Sequence, residues 1–269
     1  MKINENLTMA ERMKAAVVAK IIQRGLVQQN DASKIKLSDI PYFVEWATGF
    51  GGVWLVGETE EGQEFFYTPD QWDTLDDGVR EIHLKRAAGI LLRAKGKEFV
   101  IALQDCPDMY AWCPPIEGEE DTPVQVDITN RSGSMWAAID FEGPNNTSIL
   151  VAAESPAAIA AVNYKTTGIH GAALADWYLP TYGEWLLIFT YRNKINSALK
   201  SFFGTNNYIA QAAFWTSTPS GSTTAWGLSN PSTTSYTTSA TNYPRTNQMK
   251  VRSCSQYKCT KKFMIYGKN

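Results

Sequence analysis

Histidine is almost missing from this sequence, cysteine is scarce, and carboxylates stop about two thirds of the way along it. The only histidines are His83 and His170, and neither stands in an HExxH or comparable metal-binding spacing. Isolated histidines of this kind are expected to be structural or at the surface. Cys106, Cys113, Cys254 and Cys259 are too few to staple a chain of 269 residues, and neither close pair is a CxxC, which excludes zinc-ribbon spacing. They are expected to be reduced structural thiols, with a Cys254/Cys259 disulfide as the alternative. No Asp or Glu occurs after Glu184, whereas Arg245, Lys250, Arg252, Lys258, Lys261 and Lys262 continue, so the last third is basic. GxSxG, P-loop and GxGxxG motifs are absent. Glu119-Glu120 and Asp76-Asp77 stand in loop-like contexts and are expected to be solvated charge, not acid/base dyads. With no convergent acids, bases or ligands, the expectation is a protein without catalytic residues, metal or cofactor.

Long apolar runs are missing too. Nothing approaches the roughly 18 consecutive apolar residues of a membrane span. The N-terminal MKINENLTMAERMKAAVVAKIIQRGL is broken by Glu11, Arg12 and Lys14 and lacks a signal-peptide core, so synthesis in the cytoplasm and no membrane partner are expected. A formal charge of -2 predicts no general affinity for nucleic acid, and the C-terminal cations are scattered without a stripe. Aromatic residues, by contrast, are plentiful. Nine Trp, twelve Tyr and eleven Phe within a 44% hydrophobic composition imply a globular chain with a sizeable core.

Met9, Met13, Ala16, Val17 and Ile21 recur at helical spacing, which predicts a helix over 9–27 ending at Gly25. WLVGETEEGQEFFYT reads as a hairpin turned at Glu60-Glu61-Gly62. Residues 82–105 read as two strands, HLKRAAGILLRA and KEFVIALQD, joined at Lys95-Gly96-Lys97, and 114–133 as a long surface loop. Ser155-Pro156 opens a short helix. In LPTYGEWLLIF, Thr181 and Glu184 form a capping box, and the apolar stripe from Trp185 continues through Ile195, Leu199 and Phe202, with a break near Arg192-Asn193 and an end at Gly204. FWTST, AWGLS and QMKVRS come next as short strands. These elements divide into a small mixed α/β domain at 1–80 and a larger α+β domain at 81–269.

From Arg86 to Arg252 the order AAGILL, FVIALQD, AVNYKTTG, DWYLPTYGEW, INSAL, FWTSTP, TTAW, KVRS resembles bacterial and phage C-type-lectin-fold domains of the formylglycine-generating-enzyme-like and fimbrial-protein type. The resemblance covers the C-terminal two thirds and does not extend to 1–80. Within that superfamily it is similar to the variable proteins of diversity-generating retroelements. There, a window framed by WxST and VR is rewritten by adenine-directed mutagenesis while scaffold residues stay constant. The resemblance implies a variable window at about 216–250. Its ligand-facing residues would be Ser220, Ser222, Thr223, Gly227, Ser229, Asn230, Ser232, Thr234, Tyr236, Thr238, Thr241, Asn242, Tyr243, Thr246 and Asn247. Trp215, Trp226, Met249, Val251 and Arg252 would be its scaffold. Pro219, Pro231, Pro244 and Gly227 depart from the usual pattern.

The composition of the window suits recognition on physical grounds. Ser and Thr give donors and acceptors at small entropic cost, Tyr gives rigid amphipathic area, and Gly and Asn permit tight loops. Alternation in AWGLS would put Trp226 and Leu228 on one face and Gly227 and Ser229 on the other. The expected function is a display protein, receptor-binding or adhesin-like, that meets a cell-surface protein or glycan without metal. Residues 1–80 would attach it to a virion or tail, or build a homo-oligomer. Three alternatives come from the same fold. A formylglycine-generating-type oxidase needs a redox-competent cysteine pair, for which Cys254 and Cys259 are the candidates. A calcium-dependent lectin needs carboxylates that the window lacks. A structural, fimbrial-type protein needs neither.

Overall fold

Residues flanking Glu60-Glu61-Gly62 pair in the computed structural model, which describes residues 50–165, 176–204, 209, 212–229 and 239–256. β1 (Phe50–Glu58) and β2 (Glu64–Tyr67) are antiparallel, with Glu58 opposite Glu64. Thr59 N donates to Gln63 O at 2.7 Å, and Gly62 takes the φ of +74° that closing so short a loop requires. The helix expected at 9–27 lies outside the described residues. Next come α1 (Pro69–Asp73), opened by a capping box between Thr68 and Gln71, and α2 (Asp77–Leu84). His83 and Leu84 therefore end a helix and do not begin a strand. Ion pairs Asp77–Arg80 and Glu81–Lys85 support that helix, and His83 stacks on the rings of Phe65 and Tyr67.

The chain divides into two compact units. One comprises 1–52, 93–98 and 258–269, of which 50–52 and 93–98 are described; the other comprises 53–92 and 99–257. In the first, Lys95 and Gly96 have φ of +50° and +73°, the paired left-handed residues of a tight hairpin turn. Residues 53–80 share a unit with the C-terminal part of the chain because β1 does not end in a two-stranded ribbon; its free edge takes β3 (Ala87–Ala94) as partner. Trp72 of α1 is also buried, with its ring edge-on to Phe202 at 5.7 Å.

After β3 the chain forms β4 (Lys97–Ala102) and β5 (Met109–Ala111). The loop expected at 114–133 contains a small ribbon, β6 (Pro115–Ile116) with β7 (Glu119–Pro123). Three helices come next: α3 (Ser134–Ala137), α4 (Gly143–Ala152) and α5 (Pro156–Val162), the last capped by Ser155. β8 (Trp177–Tyr178) leads to α6 (Tyr182–Thr190), whose cap is the expected reciprocal pair: Glu184 N donates to Thr181 Oγ1 at 3.2 Å and Thr181 N to Glu184 Oε2 at 2.8 Å. After a break at Tyr191, α7 (Arg192–Phe203) ends at Gly204, φ +77°.

The remaining strands are β9 (Ala213–Pro219), β10 (Thr224–Ser229), β11 (Ser239–Pro244), β12 (Gln248–Lys250) and β13 (Cys254–Ser255). Among the described residues, besides the β6-β7 ribbon, the strands form a six-stranded sheet ordered β2-β1-β3-β4-β13-β8 and a five-stranded one ordered β11-β10-β9-β12-β5. The organisation is α+β. Val251 to Ser253 carry the chain from one sheet to the other, and this crossing is tied on both sides: Cys106 N donates to Val251 O at 2.8 Å and Ala102 N to Ser253 O at 2.9 Å. One face of the five-stranded sheet packs on a cluster including Trp112, Leu150, Ala157, Ala161 and Leu179, and the opposite face meets α6 through Phe214 stacked on Trp185 at 4.6 Å. Each large side chain so buried contributes about 1.5–3 kcal/mol.

Candidate binding surface

The frame of the window is internal. Trp215 is fully buried, its Nε1 donating to Tyr110 O at 2.7 Å while its own carbonyl accepts from Trp185 Nε1 at 3.1 Å. Trp226 is buried beside Tyr182, with Nε1 donating to Arg131 O at 2.7 Å. Met249 and Val251 are buried, and so is Arg252, whose Nε lies 2.7 Å from Asp105 Oδ1.

The residues expected to face a ligand divide into three groups. Ser222, Thr223, Thr241, Asn242 and Asn247 are exposed, and Thr246 and Ser229 are half-buried. Ser222 and Thr223 form the tip of the β9–β10 hairpin. Thr241 and Asn242 lie on β11, the edge strand, opposite Gly227 and Trp226. Arg245 N donates to Thr223 O at 3.0 Å, which holds the hairpin tip beside the end of β11. A third group, Asn230, Ser232, Thr234, Tyr236 and Thr238, lies outside the described residues.

The second group is covered by the rest of the chain to different degrees. Ser220 is buried, its hydroxyl 2.9 Å from Thr224 Oγ1. Gly227 is buried where an added Cβ would overlap Met249 Cε and the Tyr243 ring. Tyr243 is half-buried and packs against the core, with its ring edge-on to Trp215 at 6.2 Å. Alternation separates two faces correctly, yet it does not say that either is wet. β10 sits second from the sheet edge and is covered on both sides.

The start of the window, 216–220, is likewise internal. Thr216 Oγ1 donates to Trp226 O at 2.9 Å, and Thr218 Oγ1 donates to Asp140 Oδ2 at 2.7 Å. Asp140 also accepts from Asn146 Nδ2 at 3.2 Å and Glu142 N at 3.1 Å, and Arg131 Nε lies 3.6 Å away. Nothing in the sequence separates Asp140 from other acidic loop residues. Its role depends on a fold that brings residues 131, 146 and 218 together. Sequence reasoning does not single out Arg245 either, although it is the lone cation between Lys200 and Lys250. It is buried over the Trp112 ring at 4.6 Å, and Nη2 donates to Gly221 O at 2.6 Å. Burial lowers its pKa.

Behind this frame, burial pushes the Glu184 carboxyl up to about 7, against hydrogen bonds from Tyr178 and Thr181 that favour its charged form. Cys106, Cys113 and Cys254 are buried thiols; desolvation takes the first two to about 11 and raises Cys254 well above the ordinary range. Cys259 and His170 lie outside the described residues. Burial lowers the pKa of His83. Among the described residues, no three His, Cys, Asp or Glu side chains cluster as metal ligands, and no helix is long and apolar enough to cross a membrane.

No family model matches the chain, and no curated protein does. It is similar to the crystal structure of a fimbrial protein from Bacteroides ovatus ATCC 8483, with a TM-score of 0.43 and 14% sequence identity over 75% of this chain. The match spans 42% of that protein, less than half its length.

Proposed function

We propose that this chain is a ligand-binding display protein. In this reading its C-terminal two thirds adopt a C-type lectin fold, and a retroelement-diversified window contacts a cell-surface target directly, without metal or catalysis. The observation that carries the proposal is the arrangement of the window: Ser222, Thr223, Thr241, Asn242 and Asn247 are exposed along one sheet edge and its adjoining turns, while Trp215, Trp226, Met249 and Val251 behind them are buried. Rigid support under small polar residues is what a replaceable contact surface requires, since substitutions at the edge leave the packing intact. The role of a phage or phage-like receptor-binding component, carried on a virion or tail through the N-terminal residues, belongs to the same proposal.

Sequencing the locus in related isolates tests it. Substitutions are expected to concentrate at adenine-rich codons for exposed positions such as 222, 223, 241, 242 and 247, with a reverse transcriptase gene and a near-copy of the window's coding sequence nearby. Substitutions spread evenly over 50–256 would overturn diversification. Binding to target cells abolished by EDTA would overturn the metal-independent mode.

A further inference from the structure

Beside the window stands a surface that the proposed function does not use. Met135, Trp136 and Ile139 are 82%, 67% and 62% exposed. Large apolar side chains bared together and ringed by polar ones mark interaction sites more often than chance exposure. Asn130, Ser132 and Ser134 form part of that rim.

The patch is mounted on the window's own frame. Arg131 Nη1 donates to Trp136 O at 3.5 Å, Arg131 N donates to Pro219 O at 2.9 Å at the end of β9, and Arg131 O accepts from Trp226 Nε1. Trp226 in turn pairs with Asn242, so both project from the same face of the sheet. At its other end the α3 segment is pressed on the start of α6, where a Cβ at Gly183 would overlap Asp140 O and approach Ala138 O. A chain of direct contacts therefore runs from Trp136 through Arg131 and Trp226 to exposed Asn242.

Charge identifies the kind of partner. From Asn130 to Ile139 the one charged side chain is Arg131, and Asp140 neutralises it. Exposed window residues 222, 223, 241, 242 and 247 are neutral as well. An acidic polysaccharide finds no counter-charge here. Two of the three apolar side chains are aliphatic, with no flat face for a sugar ring, and suit the apolar side chains of a protein.

We infer that the window and the Met135, Trp136 and Ile139 patch form one composite surface for a protein target, with Trp136 a constant anchor and the window edge supplying specificity. The inference rests on the display reading above. Aromatic anchors of this kind carry a large share of interface energy, and loss of one weakens binding by about thirtyfold.

The test uses the full chain and two probes, a random peptide library displayed on phage and an array of neutral and acidic oligosaccharides. The expected result is enrichment of neutral, aliphatic or aromatic peptides. Their affinity should fall by about thirtyfold or more in Met135→Ser/Trp136→Ser/Ile139→Ser and also fall in Thr241→Arg/Asn242→Arg. Unchanged thermal unfolding of each variant shows that the fold is intact. Loss in the window variant alone overturns the composite surface and leaves the display reading standing. Loss in the patch variant alone overturns both, because the window then contributes nothing. Array binding that depends on Trp136 makes the anchor a glycan site and overturns the protein partner. A dimer in sedimentation that the patch variant dissolves makes the patch a self-interface and overturns the inference.

Discussion

β10 and β11 are neighbouring antiparallel strands, TAWGLS against SATNYP, and they meet opposite fates. Ala225 to Leu228 are all buried, whereas Thr241, Asn242 and Pro244 are exposed. Composition does not explain the difference, since both strands mix small, polar and aromatic residues. Position does: β10 has a partner strand on each side and packed layers above and below, while β11 ends the sheet. The same contrast divides the hydroxyls. Thr216 and Thr218 connect the frame internally, and Ser222 and Thr223 face water. A Ser/Thr-rich stretch is thus half interior wiring and half surface, because a buried hydroxyl is tolerated once its hydrogen bond is made.

Substitutions on the two sides should separate sharply. Trp215→Ala removes a fully buried indole and leaves Tyr110 O and the ring pocket empty, with an expected loss of about 4 kcal/mol in denaturant unfolding. A loss below about 1 kcal/mol would show that the frame is not the stabilising half.

Glu184 sharpens the contrast through pH. Its folded pKa of about 7 lies above the ordinary 4.5, so between these values the native state keeps a proton that the unfolded chain has released. This stabilising contribution is present in full below about pH 4.5 and is lost as pH rises through 7. Glu184→Gln, uncharged throughout, should flatten the stability profile relative to wild type by roughly 3 kcal/mol across that window, read from urea unfolding at each pH. Parallel profiles would mean that the carboxylate is hydrated in the native state.

Gly227→Ala drives a methyl against Met249 and Tyr243 and should cost about 2 kcal/mol. In a double-mutant cycle with Met249→Ala, a coupling of about 1 kcal/mol is expected, and strict additivity would break the claim that β10 is covered on this face. On the exposed side, Thr241→Ala and Asn242→Ala should each change stability by less than about 0.5 kcal/mol in the same assay. A larger loss at either position would move β11 into the frame and erase the comparison.

Local order was legible in the sequence wherever the signal was itself local. The turn at Gly62, the Thr181–Glu184 cap, the Ser155 cap, the end at Gly204 and the strands at 214–218, 225–229 and 248–250 all depend on residues within a few positions of one another. What the sequence left unread or misread depended on a remote partner. α3 and α4 carry weak helical patterns and are held in place by contacts such as Arg131 and Asn146 with Asp140 and Thr147 with Leu179. Tyr243 reads as a recognition residue on composition, and only the pairing of Ala225 with Tyr243 turns its ring toward Trp215.

By itself the sequence determined the α+β class, the carboxylate-free last third, and the Trp and Val-Arg residues that flank the polar window, because these depend on residue chemistry and short-range periodicity. Tertiary structure alone decided which of the window's polar residues are surface. It placed Ser220 and Gly227 inside, half-buried Tyr243 against the core, and left Ser222, Thr223, Thr241 and Asn242 in water. The physical reason is that burial depends on how many layers and strands cover a position, and that number is set by distant parts of the chain.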